Sequence, residues 1–458
     1  MTRPPKQGRR GRGASKGQGQ NRGRRKRPGA QVPQHTVEVT VDKLGAQGDG
    51  VASVEVLGRV QTLFIAGALP GERVRAETVS KRGDGLVANL LEIIEPSAER
   101  IEPGCEHYER CGGCALQHLN TQAYAAWKRE RVVQALRQRG FDAPPVLEPI
   151  LIGQGTRRRV TFTALKRGKR ITLGFNARSS HDIVAIDRCP LLSDALNELI
   201  TPLSTALDGI LDDGTRARIL VTACENGADV LIEADTSPDL AAREALAAFV
   251  QSASIVRVAW KQEGLAPEPI AQQAVPLVYL SGVPLELPSG TFLQASVEGE
   301  HAIRDAVLAG VGEDAGRVAD LFCGLGSFSI PLAQQSIVTA VDATEAPVRA
   351  LERAAGRAGL GGRVVASVRD LSRQPLDEIE LLKFDAVVFD PPRAGAADQV
   401  RYLAESNVPR VVGVSCNPAT FARDARTLVD GGYRLLSVQP IDQFTYSPHI
   451  EVVAHFAR

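Results

Sequence analysis

The sequence predicts an α/β protein whose C-terminal part is a doubly wound, Rossmann-like domain, preceded by an OB-like β-barrel and a central α+β domain. Three observations carry this. From about residue 290 the apolar segments "RVADLF", "IVTAVD", "RVVASV", "FDAVVFD" and "RVVGVS" alternate with helical stretches such as "EAPVRALERAAGRAG", the βαβ rhythm of a parallel sheet. From 35 to about 95, five short strand-like runs sit between turn-rich breaks, the spacing of a small barrel. Between them, strands such as "RRRVTFTALK" and "ADVLIEA" mix with helices near 191–207 and 238–250 without that rhythm. The expected boundaries are therefore 1–34 (tail), 35–97 (barrel), 98–288 (central domain) and 289–458 (doubly wound domain).

The tail, "MTRPPKQGRRGRGASKGQGQNRGRRKRPG", has almost nothing to bury and should be disordered. Residues 1–34 hold eleven Lys/Arg and no Asp/Glu, so the formal net charge of +1 hides a body with 43 basic against 53 acidic residues. A basic Arg/Gly tail attracts phosphate backbones, so nucleic-acid contact is expected of it ahead of a purely solubilising role. No apolar stretch approaches the roughly 18 residues of a membrane span. The first residues also lack the apolar core of a secretory signal. Seven cysteines, an odd number in a large chain, argue against a disulfide scaffold. A cytoplasmic protein, taken as a monomer, is expected.

In the last domain, "ADLFCGLGSFSI" places Asp320 at a strand end and Gly324 and Gly326 in a tight turn before a helix. Glycine there lets a ligand approach the backbone closely. Asp342 ends the next strand, 22 residues on, where an acid can accept ribose hydroxyls. Asp370 and Asp390 follow the third and fourth strands, so four acids should face the crevice where such sheets bind ligands. The full G-x-G-x-x-G spacing is missing. A ligand with a ribose but no phosphate, S-adenosylmethionine, suits this site better than NAD.

Cys416, in "VGVSCNPAT", occupies the same sheet edge. The helix that follows should lower its thiol pKa below about 8.5 and favour thiolate. A cysteine at an arbitrary strand is usually a small buried apolar residue; the ligand-facing position and the Asn417-Pro418 that follows reverse that expectation.

"SCNPATFARD", "FDPPRAGA", "DLFCGLGSF" and the terminal "SPHIE" together resemble the RNA uracil-5 methyltransferases, nearest to the 23S ribosomal RNA type with an N-terminal barrel called a TRAM domain. The resemblance runs over nearly all of residues 35–458. It implies a class I methyltransferase that moves a methyl group from S-adenosylmethionine to C5 of a uracil in RNA, 23S rRNA before tRNA. Cys416 would be the nucleophile and Glu451, in "HIE", the general base. Gln294 matches a glutamine near methyl donor and base, Phe322 and Asp342 match adenosine contacts, and Asp390 in "DPPR" lies close to donor and target. Ser327 stands where the family commonly has asparagine in the Gly-rich loop, and Ser296 likewise after Gln294.

Cys105, Cys111 and Cys114 form C-x5-C-x2-C, and Cys189 lies 75 residues beyond. Spacing alone leaves zinc and an iron–sulfur cluster comparable; the resemblance implies [4Fe–4S]. Radical enzymes typically present C-x3-C-x2-C with no fourth cysteine, so a structural cluster is the better reading. Cys224 and Cys323 read as packing residues. Two rival functions are amino-group methylation, because "DPPR" is similar to the Asp-Pro-Pro-Tyr loop of such enzymes, and a non-catalytic RNA-binding protein. The first needs no nucleophilic cysteine, and the second needs no Cys416–Glu451 pair.

Overall fold

The computed structural model describes residues 34–56 and 59–458; the basic tail lies outside them. The first unit is a small barrel. One run of chain serves two partners, since Thr36–Thr40 pairs antiparallel with Arg73–Arg82 while Lys43–Leu44 pairs with Gly50–Val56. The changeover is marked by Val41 N donating to Glu72 O at 2.9 Å and Asp42 N to Val51 O at 2.8 Å. Arg59–Ile65 and Gly85–Glu95 complete the circuit as a parallel pair. Alternation puts Val54, Leu63, Ile65, Val74 and Leu86 inside.

The middle unit is a seven-stranded sheet from Arg159–Arg167 to Glu268–Gln272. Helices Ile200–Ile210 and Leu240–Ser252 cover one face and bury Phe162, Ile219, Val230 and Val258.

The last unit holds an eight-stranded sheet. Five strands, Val364–Val368, Ile337–Asp342, Arg317–Leu321, Ala386–Phe389 and Arg410–Ser415, run parallel in that spatial order. They are valine-rich and largely buried, as expected where helices cover both faces. Glu451–Ala457 pairs antiparallel with Arg410–Ser415, and Arg434–Asp442 lies outside it.

The division at residue 288 needs correction. Helix Thr121–Arg137 buries Val132, Val133 and Leu136 in the same core as Phe421, Leu428 and Val438. Ile150–Leu151 extends the last sheet beside Ile441–Asp442. The hairpin Leu277–Glu286 packs Leu280 and Leu285 against Ala350 and Ala354. The apolar sides of these segments find their complement on the C-terminal domain, which chain order does not reveal. Among the described residues no helix is long and apolar enough to cross a membrane.

Candidate active site

Cys416 follows the strand Arg410–Ser415 directly, and Asn417 caps the helix Pro418–Asp430 by accepting from Ala419 N at 3.1 Å. Proline at the first helical position gives up no hydrogen bond, because that N–H would be unpaired anyway. The same helix holds the loop after Asp390. Asn417 Nδ2 donates to Arg393 O at 3.1 Å, Arg423 Nη2 to Ala394 O at 3.0 Å, and Asp424 Oδ2 accepts from Ala396 N at 2.9 Å. Gly395 sits in this grip at φ 80°, where a Cβ would lie 2.4 Å from Arg423. Cys416 and the Asp390-Pro-Pro-Arg393 turn are thus one assembly.

Glu451 opens the antiparallel strand, next to the Ser415–Val452 pair, which brings it to the cysteine. It is buried, and Gln443 Nε2 donates to its Oε1 at 3.3 Å and to Gln294 Oε1 at 2.6 Å. Gln443 Oε1 accepts from Ala295 N at 2.9 Å, so this one side chain ties the glutamine near the site to the acid. Nothing in its sequence context marks Gln443; it is a polar residue in a polar loop that tertiary packing buries. His449, in the "SPHIE" segment, also reaches the site. It faces the Arg393 guanidinium at 3.2 Å and meets Phe444 edge-on, ring centres 5.9 Å apart. Burial and the cations Arg393, Lys128 and Arg131 push its pKa down to about 4, so its ring is neutral.

The electrostatics overturn one expectation. Burial, then the charges of Glu451 and Asp390, push the Cys416 thiol up to about 11, against the pull of Arg393. The favourable helix N-terminus loses to desolvation and two neighbouring carboxylates. Burial also lifts Asp390 to about 7. Glu451 rises to about 8 through burial and then the Asp390 charge, while Gln443 and Arg393 oppose this.

The Gly-rich turn lies further along the same sheet edge. Gly324, at φ 53°, has open space where a Cβ would be. Gly326, at φ 87°, is different: a Cβ there would lie 2.5 Å from Leu351, so its small size serves helix packing. Phe322 takes φ 64°, uncommon for an aromatic residue and worth a functional explanation. Ser327 is half-buried on the same turn. Asp342 steadies the turn, accepting from Gly324 N at 3.1 Å and Thr344 N at 2.7 Å. Asp370 is engaged by Ser372 N and Oγ at 3.0 and 2.6 Å, bonds that hold its carboxyl below its usual range. Asp320 does not join the crevice. It is fully buried within its strand and accepts from Ser329 Oγ at 2.5 Å. In a strand covered on both faces, its side chain points into the protein.

Cys105, Cys111, Cys114 and Cys189 line one cavity of about 600 Å³, whose far wall includes Arg393, Phe444 and His449. Burial first, and then the neighbouring cysteines, raise the thiols of Cys111 and Cys189 and push Cys114 up to about 12. Cys105 is among the neighbours that act on the other three, so the four sulfurs share one space. Donors already point at them: Gly113 N at 3.4 Å from Cys111 Sγ, the Gln117 side chain at Cys114, and the amides of Leu191 and Leu192 at Cys189. Among the described residues, one set of three ligand-type side chains has its ligand atoms within 4.8 Å of one another, Glu106, His107 and Asp187, and His107 lines the same cavity. Cys323 packs in the apolar core under the parallel sheet, and Cys224 beside the Leu277–Glu286 hairpin.

The tRNA (uracil-5-)-methyltransferase family description matches residues 362–458. An RNA methyltransferase of Agrobacterium fabrum is 41% identical over 426 residues, covering 92% of this chain and 99% of its own. The 23S rRNA (uracil(1939)-C(5))-methyltransferase RlmD of Aeromonas hydrophila is 34% identical, covering 92% and 96%. The crystal structure of the tRNA (uracil-54, C5)-methyltransferase of Pyrococcus abyssi, in complex with S-adenosyl-L-homocysteine, shares the fold with a TM-score of 0.71 at 22% identity, covering 92% of this chain and all of that one. With a thiol and a buried carboxyl on adjacent strands, Arg410–Ser415 and Glu451–Ala457, and relatives matched over nearly their whole length, the chain belongs to the RNA uracil-5 methyltransferase family.

Proposed function

We propose that this enzyme transfers the methyl group of S-adenosylmethionine to C5 of a uridine in 23S rRNA, through a covalent bond between Cys416 Sγ and C6 of the base. The observation that carries this is the Cys416–Glu451 pairing, with Gln443 bridging the acid to Gln294. C5 of uracil is too weak a nucleophile to take a methyl group unaided. Addition of Cys416 at C6 creates an enolate with electron density on C5, splitting one hard step into two easier ones. The donor supplies an electrophilic methyl on a sulfonium. Glu451 then removes the C5 proton, the C5=C6 bond reforms and Cys416 leaves. A pKa of about 8 keeps Glu451 close to the working range of a general base.

The resting thiol is protonated, so it ionises when substrate binds, losing its proton to solvent before sulfur adds to C6. Arg393 is the protein's own cation facing it, and a sulfonium bound among Asp342, Asp390 and Glu451 would offset the acids that hold the thiol neutral. Phe322, Gly324, Ser327, Asp342 and Asp370 are the residues assigned to the donor's adenosine, and Gln294 and Asp390 to the region between donor and base. The four cysteines fit a [4Fe–4S] cluster: they line one cavity and amide donors suited to sulfur point at them. Such a cluster would supply structural cross-linking of the segments around Cys105 and Cys189. The barrel has the strand order and parallel pair of an OB fold, which supports the TRAM reading and RNA contact. Ribosomal RNA is preferred to tRNA because the 23S relative is matched at 34% identity over nearly the full chain.

Cys416→Ala should abolish transfer and leave S-adenosylmethionine binding intact. Glu451→Gln should still methylate but fail to release, accumulating a methyl-labelled protein–RNA adduct stable to denaturing electrophoresis. RNA with 5-fluorouridine at the target should trap the unaltered enzyme in the same way. Full turnover by Cys416→Ala, or no adduct in both traps, would overturn the covalent mechanism. Methylation of transfer RNA but not 23S rRNA transcripts would reassign the substrate.

A further inference from the structure

The segment Gln443–Ile450 joins the last two strands and carries Gln443 and His449 into the site, ending at Glu451. Its anchors come from outside that sheet. Helix Thr121–Arg137 presents Tyr124 and Lys128 one turn apart on a single face, both buried. Asp442, fully buried at the end of its strand, accepts from Lys128 Nζ at 2.7 Å, from Phe444 N at 3.2 Å and from Tyr124 Oη. Tyr124 Oη in turn accepts from Tyr446 N at 2.8 Å, and Lys128 Nζ donates to His449 O. Tyr446 is held at φ 61°, and its carbonyl accepts from Ala115 N at 2.7 Å and Leu116 N at 3.1 Å, the residues after Cys114. Three side chains therefore fix Phe444, Tyr446 and His449 by their backbones. A fully desolvated lysine–aspartate pair is a poor way to gain stability, since apolar residues of similar volume often serve as well or better. What it supplies here is geometry.

We infer that Tyr124, Lys128 and Asp442 are positioning residues, a buried clamp that fixes Gln443–Ile450 and so sets where Gln443 and Glu451 stand against Cys416. The inference rests on the covalent reading above for its catalytic consequence, and on the contacts alone for the clamp itself. The step it governs is removal of the C5 proton. Addition and methyl transfer depend on Cys416, which its own strand, helix and turn hold in place, and the segment meets that turn where His449 faces Arg393 at 3.2 Å.

Tyr124→Phe is the discriminating variant. It deletes one hydroxyl and keeps the ring packed between Trp127 and Tyr446, with centres at 6.4 and 5.8 Å. Lys128→Met is the second variant. Hydrogen–deuterium exchange followed by mass spectrometry should show amides of 443–450 exchanging about tenfold faster, while helix Pro418–Asp430 keeps its protection. Release of the methyl-labelled adduct should slow by about 10- to 100-fold, with the dissociation constant for S-adenosylmethionine unchanged. Unchanged exchange in 443–450 overturns the clamp. Faster exchange with normal adduct release, in a preparation where Glu451→Gln does trap, overturns its positioning role. If Glu451→Gln itself gives no adduct, the covalent reading falls and the clamp is decided by exchange alone.

Discussion

The acidity of Cys416 gives a sharp test, because two physical effects pull it in opposite directions. A helix N-terminus favours thiolate, whereas burial beside Glu451 and Asp390 holds the pKa at about 11. At pH 8.5, where Glu451 is mostly charged, such a thiol is ionised in about three molecules in a thousand, against about one in two for an ordinary cysteine near 8.5. A more basic thiolate is intrinsically more nucleophilic, which returns about 10- to 20-fold across that difference. The net expectation is alkylation by iodoacetamide about 10-fold slower than a free cysteine at that pH. The assay is the pH dependence of labelling from pH 6 to 10, read on the Cys416 peptide by mass spectrometry. Glu451→Gln adds a signed control. Glu451 has a raised pKa of about 8, so it is neutral below that value and charged above it. Removing it should leave labelling unchanged near pH 6.5 and accelerate it above pH 8. Labelling of the unaltered enzyme that follows an apparent pKa near 7 would show that the helix terminus prevails, and would refute the argument.

Two further outcomes follow from the donor turn and the cysteine cavity. Gly326→Ala should destabilise the fold by about 1–3 kcal/mol, because the new methyl meets Leu351 at 2.5 Å on a backbone at φ 87°; an unchanged denaturant midpoint would contradict this. Protein purified without oxygen should hold about four irons with matching acid-labile sulfide, and Cys189→Ala should lose them; stoichiometric zinc instead would reject the cluster.

The doubly wound sheet was legible because its strands are short apolar runs ended by acids, a pattern set by burial on both faces. Cys416 was legible for the same reason, since its strand and capped helix are local features. The clamp was not. Tyr124 and Asp442 are 318 residues apart, and nothing near either one announces the other. The thiol's acidity escaped as well, since it depends on carboxylates delivered by two other strands. Asp320 shows the limit of reading strand ends. "RVADL" is buried on both sides, so alternation does not tell whether its acid faces ligand or core. Gly324 and Gly326 look alike in sequence, yet the first has open space where a Cβ would be and the second has Leu351 there.

The direction of the final strand explains why a site of this kind needs a clamp at all. Parallel strands deliver only the residues at their C-terminal ends to the ligand edge of a sheet. An acid at the start of a parallel strand would lie at the opposite edge. Because Glu451–Ala457 runs antiparallel, its first residue emerges beside Cys416. Its insertion between Arg410–Ser415 and Arg434–Asp442 also matters. In a simple meander Glu451 would stand two strand spacings from the cysteine, about 9.5 Å, whereas insertion leaves about 4.8 Å. The cost of this arrangement is a connection, Gln443–Ile450, that must turn back across the ligand edge without regular structure of its own. Held only by its ends, such a segment would move on the scale that separates a working base from an idle one. The buried partners contributed by Thr121–Arg137 restrain it, which is why a helix more than 300 residues before Glu451 bears on where that acid stands beside Cys416.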